Sequence, residues 1–312
     1  MWKSVHRLKP SFLPSLLDPV LAHGFHPPAL KNALGIVLDK PGKLSYDSPS
    51  SLRVIVLLRT ISKILERIVA SRRSAQATIC SLIHPLQCGS LPGRSTADAA
   101  LVLQHNVESF HRLGYKVSTL FLDVKGGFDN MESPSLLALL GRKVVSSYLV
   151  QWVGSFLRDR TCRLTFQVSP PLFAPVSVGV PQGSPISPLL FVIYVSSLHL
   201  EVPRTLIISY VDDFAVTVAA PSYRTNVRLL QKSFSALKRK ASAINISFSV
   251  PKTELIHWRT TRSNERPCSL PVQLEDQIFY PQSCLKWLTS SSPPLWTQGP
   301  TSPEGTHLRM PP

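Results

Sequence analysis

Three aspartates lie inside apolar, strand-like segments, and their placement constrains the fold of this chain more than any other feature of the sequence. Asp123 ends the segment Thr119–Asp123, while Asp212 and Asp213 stand together inside the segment Ile208–Phe214. Adjacent like charges in an apolar hairpin are electrostatically costly unless a cation compensates them. If the two strands are neighbours in one sheet, Asp123 and Asp212 converge on one point.

Carboxylates grouped in this way would suit Mg²⁺, which keeps several waters and completes its coordination with substrate phosphates. Two such ions, about 3.5–4 Å apart, can activate a 3′-hydroxyl and stabilise a leaving pyrophosphate during an in-line displacement. For the Asp-Asp pair alone, a turn with two exposed aspartates explains the residues equally well.

Apolar periodicity predicts two hairpins and three helices. One hairpin covers Ile36 to Leu58 around the polar turn Lys40–Lys43, and the other covers Leu206 to Val218. The predicted helices run from Ile61 to Val69, from a Thr96 N-cap to His111, and from Arg224 to Ile244.

The charge of the chain favours a polyanionic partner. It carries 34 Lys and Arg against 18 Asp and Glu, for a formal net charge of +16 at pH 7. Nucleic acid is the first expectation, because every neutralised phosphate releases counterions. A ribosomal-type or simply soluble basic protein is the alternative on charge alone. One face of the predicted helix at 224–244 is strongly basic, although ordinary solvation also explains such a face; its residues are Arg224, Arg228, Lys232, Lys238, Arg239 and Lys240.

Other classes of protein are disfavoured. The five scattered cysteines (Cys80, Cys88, Cys162, Cys268 and Cys284) form no C-x-x-C pair, so neither a zinc site nor a disulfide framework is indicated. No apolar run reaches the roughly 18 residues of a spanning helix. Prolines interrupt the short apolar stretch near the N-terminus, which argues against a signal peptide. We therefore expect a nuclear or cytoplasmic protein with no membrane partner.

Three separated segments together resemble the motifs of reverse transcriptases, most closely those of non-LTR (LINE-type) retrotransposons. Phe121–Asn130 is similar to motif A, Gly179–Phe191 to motif B and Tyr210–Asp213 to motif C. The resemblance implies an α+β right-hand polymerase fold, with an antiparallel palm sheet packed on helices, with fingers, and with the thumb largely missing. It implies an RNA-directed DNA polymerase that adds dNTPs to a primer 3′-hydroxyl.

Weaker similarities extend the match to most of the chain. They lie at Lys40–Lys43, Ser51–Arg53, Lys63–Glu66, Gln87–Gly89, Arg94–Asp98, Lys252–Glu254 and Leu285–Leu288. We expect an irregular lead-in over 1–35, fingers over about 36–115, a palm over about 116–288, and a disordered Ser/Pro-rich tail over 289–312.

The resemblance also assigns roles in chemistry. Asp123 and Asp212, with Val124, would bind two Mg²⁺ ions, with Mn²⁺ as an alternative, and Asp213 would be a third catalytic carboxylate. Lys252 would donate a proton to pyrophosphate or contact a phosphate.

A second set of residues would bind the incoming dNTP. They are Lys40, Arg53, Gly126, Gly127, Phe128, Gln182 and Gly183. Phe128 stands where the family places the aromatic residue that blocks a ribose 2′-hydroxyl, whereas RNA-copying RNA polymerases carry an aspartate there. Core packing is the alternative role for Phe128.

The remaining expected contacts are with the RNA template and the DNA primer. They involve Arg94, Pro181, Ser184, Tyr210, Arg224, Arg228 and Lys232. The oligomeric state is not predicted.

The chain departs from the family pattern at two places. Arg53-Val54-Ile55 replaces the usual Arg-Pro-Ile, and Ser/Pro-rich sequence follows Leu288 where the family continues into a thumb. Neither an endonuclease nor an RNase H segment is recognisable. Two hypotheses follow: an active RNA-directed DNA polymerase, or an inactive remnant that still binds nucleic acid. A group II intron-type maturase has less support, because no maturase-like helical region is present.

Overall fold

In the computed structural model, the described residues are 7, 9–40, 45–48, 51–79, 82–142, 146–165, 172–199, 204–259, 268–282, 284–285, 287 and 296–297. Their contacts group the chain into two compact units, each built from two stretches. Unit 1 comprises Met1–Leu82 and Gly126–Tyr194, and unit 2 comprises Ile83–Lys125 and Val195–Pro312. The expected single border between fingers and palm near residue 116 therefore does not match this grouping, because 83–115 belongs with unit 2 and 126–194 with unit 1.

The elements follow in chain order. The helices are α1 (Phe12–Ala22), α2 (Thr60–Ile79), α3 (Thr96–Arg112), α4 (Gly127–Asn130), α5 (Ser133–Arg142), α6 (Ser147–Leu157), α7 (Ser187–Ser196) and α8 (Tyr223–Ser242). The strands are β1 (Asn32–Asp39), β2 (Leu52–Leu57), β3 (Lys116–Asp123), β4 (Arg160–Thr165), β5 (Leu172–Val176), β6 (Thr205–Tyr210), β7 (Asp213–Ala220), β8 (Glu254–Trp258), β9 (Val272–Leu274), β10 (Gln277–Phe279), β11 (Cys284–Leu285) and β12 (Trp296–Thr297).

Unit 1 is organised by a four-stranded sheet in the order β2-β1-β4-β5. Strands β1 and β2 form the antiparallel hairpin predicted over 36–58, while its turn residues Pro41–Lys43 lie outside the described ranges. Strand β4 runs parallel to β1. Among the helices, α6 buries Trp152 and Phe156, and both rings contact the edge of the buried His26 imidazole.

The expectation that 1–35 is irregular is wrong over Phe12–Ala22, which forms α1. Pro14 occupies the first turn of that helix, where a backbone N–H has no intrahelical partner, so its ring is tolerated there. Pro19 lies inside the helix and removes one hydrogen bond. Contacts with α6 and the burial of Leu17 stabilise α1 nonetheless.

Unit 2 is organised by an antiparallel sheet in the order β6-β7-β3-β8. Strands β6 and β7 are the hairpin predicted over 206–218, and β3 pairs with β7 along its whole length. All residues of β3 from 117 to 122 are buried, so the strand is covered on both faces. This register places Asp123 opposite Asp213 at the end of the sheet.

Helices α3 and α8 cover this sheet. The predicted amphipathic helix at 224–244 is confirmed as α8, and the helix at 96–111 is confirmed as α3. The N-cap of α3 is Ser95 rather than the predicted Thr96, because Ser95 and Asp98 form a reciprocal capping box. The indole of Trp287 lies in the same core, 5.3 Å from the Phe121 ring.

Most of the tail that was expected to be disordered lies outside the described residues. Its described part, Trp296–Thr297, pairs with Cys284–Leu285. Among the described helices, none combines the length and the apolarity needed to cross a membrane.

Candidate active site

The three aspartates singled out in the sequence lie together at one end of the unit 2 sheet. Asp123 is the last residue of β3, Asp213 is the first residue of β7, and the two are direct partners in the strand register. Asp212 precedes β7, and its carbonyl accepts a hydrogen bond from the Val124 N–H at 3.1 Å. The convergence of the two motifs on one point, inferred from sequence on the condition that the strands are neighbours, is confirmed.

The environment of Asp212 and Asp213 opposes the ionisation of their carboxyl groups. Burial is the main cause that raises the pKa of Asp213 to about 7, and the nearby charges of Asp212 and Asp123 raise it further. The pKa of Asp212 is also raised, again mainly by burial. Adjacent carboxylates with raised pKa values are typical of a site that a bound cation completes, because the cation removes the repulsion.

One cationic side chain reaches this cluster. Lys252 donates from Nζ to Oδ2 of Asp123 at 2.9 Å, although about two thirds of its side chain is exposed. A single exposed ammonium group offsets only part of the repulsion among the carboxylates. The cluster therefore retains the electrostatic character of a cation site.

The donor set fits a hard divalent cation, but not a cage made of side chains alone. Within the described ranges, no group of three or more His, Cys, Asp or Glu residues is arranged as a metal site. An ion beside Asp123 and Asp212 would take further ligands from water and substrate, which is the coordination that Mg²⁺ favours.

Two turns contain residues of motifs B and C. The carboxylate turn is Tyr210–Asp213 between β6 and β7, and the glycine turn is Pro181–Ser184 before α7. In the glycine turn, Gly183 has a φ of +121°, and a Cβ there would lie 2.5 Å from the Val56 carbonyl oxygen. This position therefore requires glycine.

Hydrogen bonds within unit 1 connect the glycine turn to the end of motif A. Gln182 donates from Nε2 to Oδ1 of Asp129 at 2.8 Å, and the Val180 N–H donates to the Phe128 carbonyl at 2.8 Å. The half-buried Phe128 ring stacks on Phe191 with 4.7 Å between centroids. Phe128 thus makes the packing contact considered as its alternative role, while part of its ring stays exposed.

Several predicted contacts with nucleic acid have other partners in the fold. Pro181 and Ser184 are buried, and the Ser184 hydroxyl donates to Glu66. Arg94 donates from Nη1 to the carbonyls of Pro85 and Gln87. A direct nucleic-acid contact through these three side chains therefore gains no support from their positions.

The other predicted contact residues are at or near the surface. Tyr210 is half-buried against the core of unit 2, and Lys40 is half-buried at the end of the β1–β2 hairpin. Gly126 is exposed and Gly127 is buried at the start of α4, and Arg53 is exposed on β2. The basic residues of α8 are exposed as expected: Arg224, Arg228 and Lys232.

Residues 38–289 match the family model described as reverse transcriptase (RNA-dependent DNA polymerase). The chain belongs to the reverse transcriptase family. Members of this family use divalent metal ions, in agreement with the donor set at the carboxylate turn.

Among the curated relatives of the chain are RNA-directed DNA polymerases of mobile elements. The probable RNA-directed DNA polymerase from transposon BS of Drosophila melanogaster is 27% identical over 93% of the chain. The RNA-directed DNA polymerase from mobile element jockey of the same species is 29% identical over 77% of the chain. The reverse transcriptase spans about a third of the length of these relatives, 32% and 27% respectively.

Solved structures support the right-hand polymerase fold. Apo telomerase from Candida tropicalis, truncated from its C-terminal domain, superposes on 81% of this chain with a TM-score of 0.52 at 16% identity, and the match covers 56% of the telomerase chain. Telomerase from Candida albicans, in complex with a fragment of telomeric RNA, gives a TM-score of 0.54 at 13% identity, over 85% of this chain and 48% of its own. The expected α+β architecture of the reverse transcriptase is confirmed.

Two buried polar side chains of the reverse transcriptase have contacts that the sequence did not reveal. Gln87 bonds to Val211 in the carboxylate turn, and Glu66 accepts from Ser184 in the glycine turn. Both residues belong to segments that resemble the family, yet no role was inferred for them. A signal was present in each case, since Gln87 interrupts the segment Leu82–Cys88 and Glu66 follows Ile64-Leu65 on a predicted helix.

Proposed function

We propose that this chain is the polymerase core of a non-LTR retrotransposon reverse transcriptase, which copies an RNA template by adding dNTPs to a DNA primer. One observation carries the proposal: Asp123 and Asp213 are partners at the end of the β3–β7 pair, with Asp212 beside them. The raised pKa values of Asp212 and Asp213 support a site built for cations.

Asp123 and Asp212, with Val124, would hold two Mg²⁺ ions, and Mn²⁺ could replace them. When bound, such ions activate the primer 3′-hydroxyl and stabilise the charge of the leaving pyrophosphate. The protein's own contribution is to fix the carboxylates: the Ser249 N–H donates to the Asp123 carbonyl at 2.7 Å, and the Val124 N–H donates to the Asp212 carbonyl.

Lys252 is proposed to act on the leaving group. Its ammonium lies 2.9 Å from Asp123, and its exposed side chain can turn towards a phosphate that arrives there. In that position Lys252 would donate a proton to pyrophosphate or neutralise its charge. Loss of its contact with Asp123 would free Oδ2 of that carboxylate for a cation.

Phe128 and Gln182 are proposed to select the incoming dNTP. Phe128 is fixed by its stack on Phe191, so an added ribose 2′-hydroxyl would meet a ring that cannot move away freely. Gln182 is oriented by Asp129 and can present its remaining amide groups to a base pair. Lys40, Arg53 and the backbone at Gly126 and Gly183 would contact the triphosphate.

The exposed basic face of α8 is proposed to bind the phosphates of the template and primer. Arg224, Arg228 and Lys232 lie one turn apart along this face. Arg239 and Lys240 extend it towards the C-terminus of the helix. Phosphate contacts of this kind add affinity without reading the base sequence.

Primer extension tests the proposed activity. The full chain is supplied with poly(rA), an oligo(dT) primer, dTTP and Mg²⁺, and incorporation is compared between wild type and Asp212→Ala. We expect the substitution to lower incorporation by at least about 1,000-fold, because it removes several kcal/mol of transition-state stabilisation.

Asp276→Ala is the matched control, since Asp276 is exposed in the β9–β10 turn. It should leave incorporation unchanged. A wild type that incorporates no dTTP, or an Asp212→Ala variant that equals wild type, contradicts the proposed polymerase. RNA binding without incorporation would instead describe an inactive remnant.

A further inference from the structure

The carboxylate turn contains a backbone conformation that its residue disfavours. Val211 has a φ of +59° in the two-residue connection between Tyr210 and Asp213, which are partners across the hairpin. Glycine is the usual residue at a positive-φ position of such a turn. A β-branched residue in this conformation is strained and persists only where its surroundings hold it.

The side chain of Gln87 supplies that support. Its Oε1 accepts a hydrogen bond from the Val211 N–H at 3.0 Å, and its Nε2 donates to the Val211 carbonyl at 3.4 Å. Both polar backbone groups of the strained residue are thus paired with one amide. Gln87 is completely buried, so water cannot replace it without a change in the fold.

Gln87 is itself fixed by the segment around it. Cys88 donates from its backbone to the Ser209 carbonyl at 2.7 Å, and the Ser209 N–H donates to the Leu86 carbonyl at 3.0 Å. These bonds attach the segment to β6 next to the turn. Arg94 donates to the Gln87 carbonyl at 2.6 Å from the other side.

The approach of this segment to the turn depends on Gly89. Its N–H donates to Oε1 of Gln87 at 3.0 Å, the same oxygen that accepts from Val211. A Cβ at position 89 would lie 2.4 Å from the Val211 backbone nitrogen, a distance that real side chains do not reach. Glycine is therefore required for the segment to lie against the turn.

We propose that Gln87 is a positioning residue for nucleotide transfer: its amide holds Val211 in the left-handed conformation and thereby fixes Asp212 and Asp213 opposite Asp123. This proposal rests on the proposed polymerase function. The turn is bonded on two sides, by Gln87 at Val211 and by the Val124 N–H at the Asp212 carbonyl. Removing the Gln87 amide would release one side and displace the carboxylates that follow Val211.

A double-mutant cycle tests the proposal in the full chain. Gln87→Ala, Val211→Gly and the double variant are compared with wild type in primer extension on poly(rA). We expect Gln87→Ala to lower kcat by about 10- to 100-fold, because it removes the hydrogen-bond partner of the Val211 N–H and carbonyl. The KM for dTTP should change by less than about threefold, since the amide contacts the turn and not the nucleotide.

Val211→Gly distinguishes positioning from general stabilisation. Glycine adopts a positive φ without strain, so Val211→Gly should restore kcat of the Gln87→Ala variant by at least about fivefold. Gln277→Ala is the matched control, because Gln277 is exposed on β10. A kcat of Gln87→Ala within about twofold of wild type, or independent losses in the double variant, overturns the proposal.

Hydrogen exchange on the wild type provides a readout that depends on neither activity nor the folding of a variant. The Val211 amide should exchange as slowly as the central amides of β7, because it is bonded to the fully buried side chain of Gln87. Fast exchange at Val211 overturns the proposal even if Gln87→Ala fails to fold. An inactive wild type with a protected Val211 amide would contradict the proposed function and leave the contact between Gln87 and the turn supported.

Discussion

The carboxylate turn and the glycine turn are each bonded to a different buried polar side chain. One of these side chains is a neutral amide and the other is an ionisable carboxyl group. Gln87 is neutral and pairs with the backbone of Val211. Glu66 is a carboxyl group that accepts hydrogen bonds from the hydroxyls of Ser184 and Ser62. We call Gln87 and Glu66 the two anchors.

The surroundings explain this difference. A carboxylate in place of Gln87 would add a negative charge beside the carboxylate turn, where burial and mutual repulsion already raise the pKa of Asp213. Glu66 lies within unit 1, where two hydroxyls and the positive charge of Arg160 favour its ionised form. Burial is nevertheless the larger influence and raises the pKa of Glu66. The comparison teaches that the anchor beside the buried carboxylates is neutral, whereas the anchor beside two hydroxyls and Arg160 is ionisable.

Truncation of Glu66, the ionisable anchor, should have the largest effect on stability. Glu66→Ala leaves the Ser62 and Ser184 hydroxyls without their acceptor and leaves the buried Arg160 without a nearby anion. We expect the free energy of unfolding to fall by about 3 kcal/mol, measured by urea denaturation. Glu66→Gln is the control and should cost about 1 kcal/mol or less at pH 5. Equal losses in the two variants would show that the acceptor oxygens are unimportant.

Exchanging the charge of the neutral anchor should have the next largest effect. Gln87→Glu keeps an acceptor for the Val211 N–H but places a carboxyl group in a fully buried position beside the carboxylate turn. We expect the free energy of unfolding to fall by about 2 kcal/mol at pH 8, and by less at pH 5, where the new group can stay protonated. Chemical denaturation at the two pH values measures this. An equal loss in the free energy of unfolding at pH 5 and pH 8 would contradict the electrostatic explanation of the difference between the two anchors.

If the two turns have separate functions, a change beside the glycine turn should alter the selectivity for dTTP over UTP without lowering the rate of dTTP incorporation. Phe128→Ala removes the phenyl ring but keeps the Phe128 backbone carbonyl, which accepts a hydrogen bond from the Val180 N–H next to the glycine turn. We expect the ratio of kcat/KM for dTTP to that for UTP to fall by about 10-fold. Incorporation of dTTP should stay within about threefold of wild type. Phe173→Ala, at an exposed phenylalanine, is the control; an unchanged ratio would leave Phe128 with packing alone.

The smallest expected effect is a change in how stability depends on pH. Because burial raises the folded-state pKa of Glu66 above its ordinary value of 4.5, its contribution to stability is complete below about pH 4.5 and is lost as the pH rises through the folded value. Glu66→Gln removes this loss. The stability of Glu66→Gln relative to wild type should therefore rise between pH 5 and pH 8. A relative stability that falls over this range would mean that Glu66 is stabilised in its ionised form.

The sequence predicted the elements that depend on local patterns, and these were confirmed. The β6–β7 hairpin and α8 follow from apolar periodicity. Asp123 meets the Asp212–Asp213 pair because β3 and β7 are neighbours, which was a condition of the sequence argument and not a result of it. The N-cap of α3 was wrong by one residue, since Ser95 and Thr96 offer the same chemistry and only the backbone distinguishes them. Roles of single side chains in binding dNTPs, template and primer stay predictions, as does a nuclear or cytoplasmic location.

The hydrogen-bond partners of the two anchors could not be predicted from the sequence, because those partners are remote along the chain. Gln87 and Val211 are separated by 124 residues, and Glu66 and Ser184 by 118. Which polar groups meet depends on the tertiary register, here a parallel bridge between Gln87 and Ser209. The same reason explains Arg94, which was expected to contact nucleic acid and instead donates to backbone carbonyls in its own segment.

Direct titration with Mn²⁺, followed by electron paramagnetic resonance, tests the central claim that the carboxylate turn and Asp123 form a divalent cation site. Wild type should bind Mn²⁺ and release it on addition of Mg²⁺, while Asp123→Ala and Asp212→Ala should each weaken binding by at least about 10-fold. Asp276→Ala should bind as wild type does. Equal Mn²⁺ affinity in wild type, Asp123→Ala and Asp212→Ala would contradict the account.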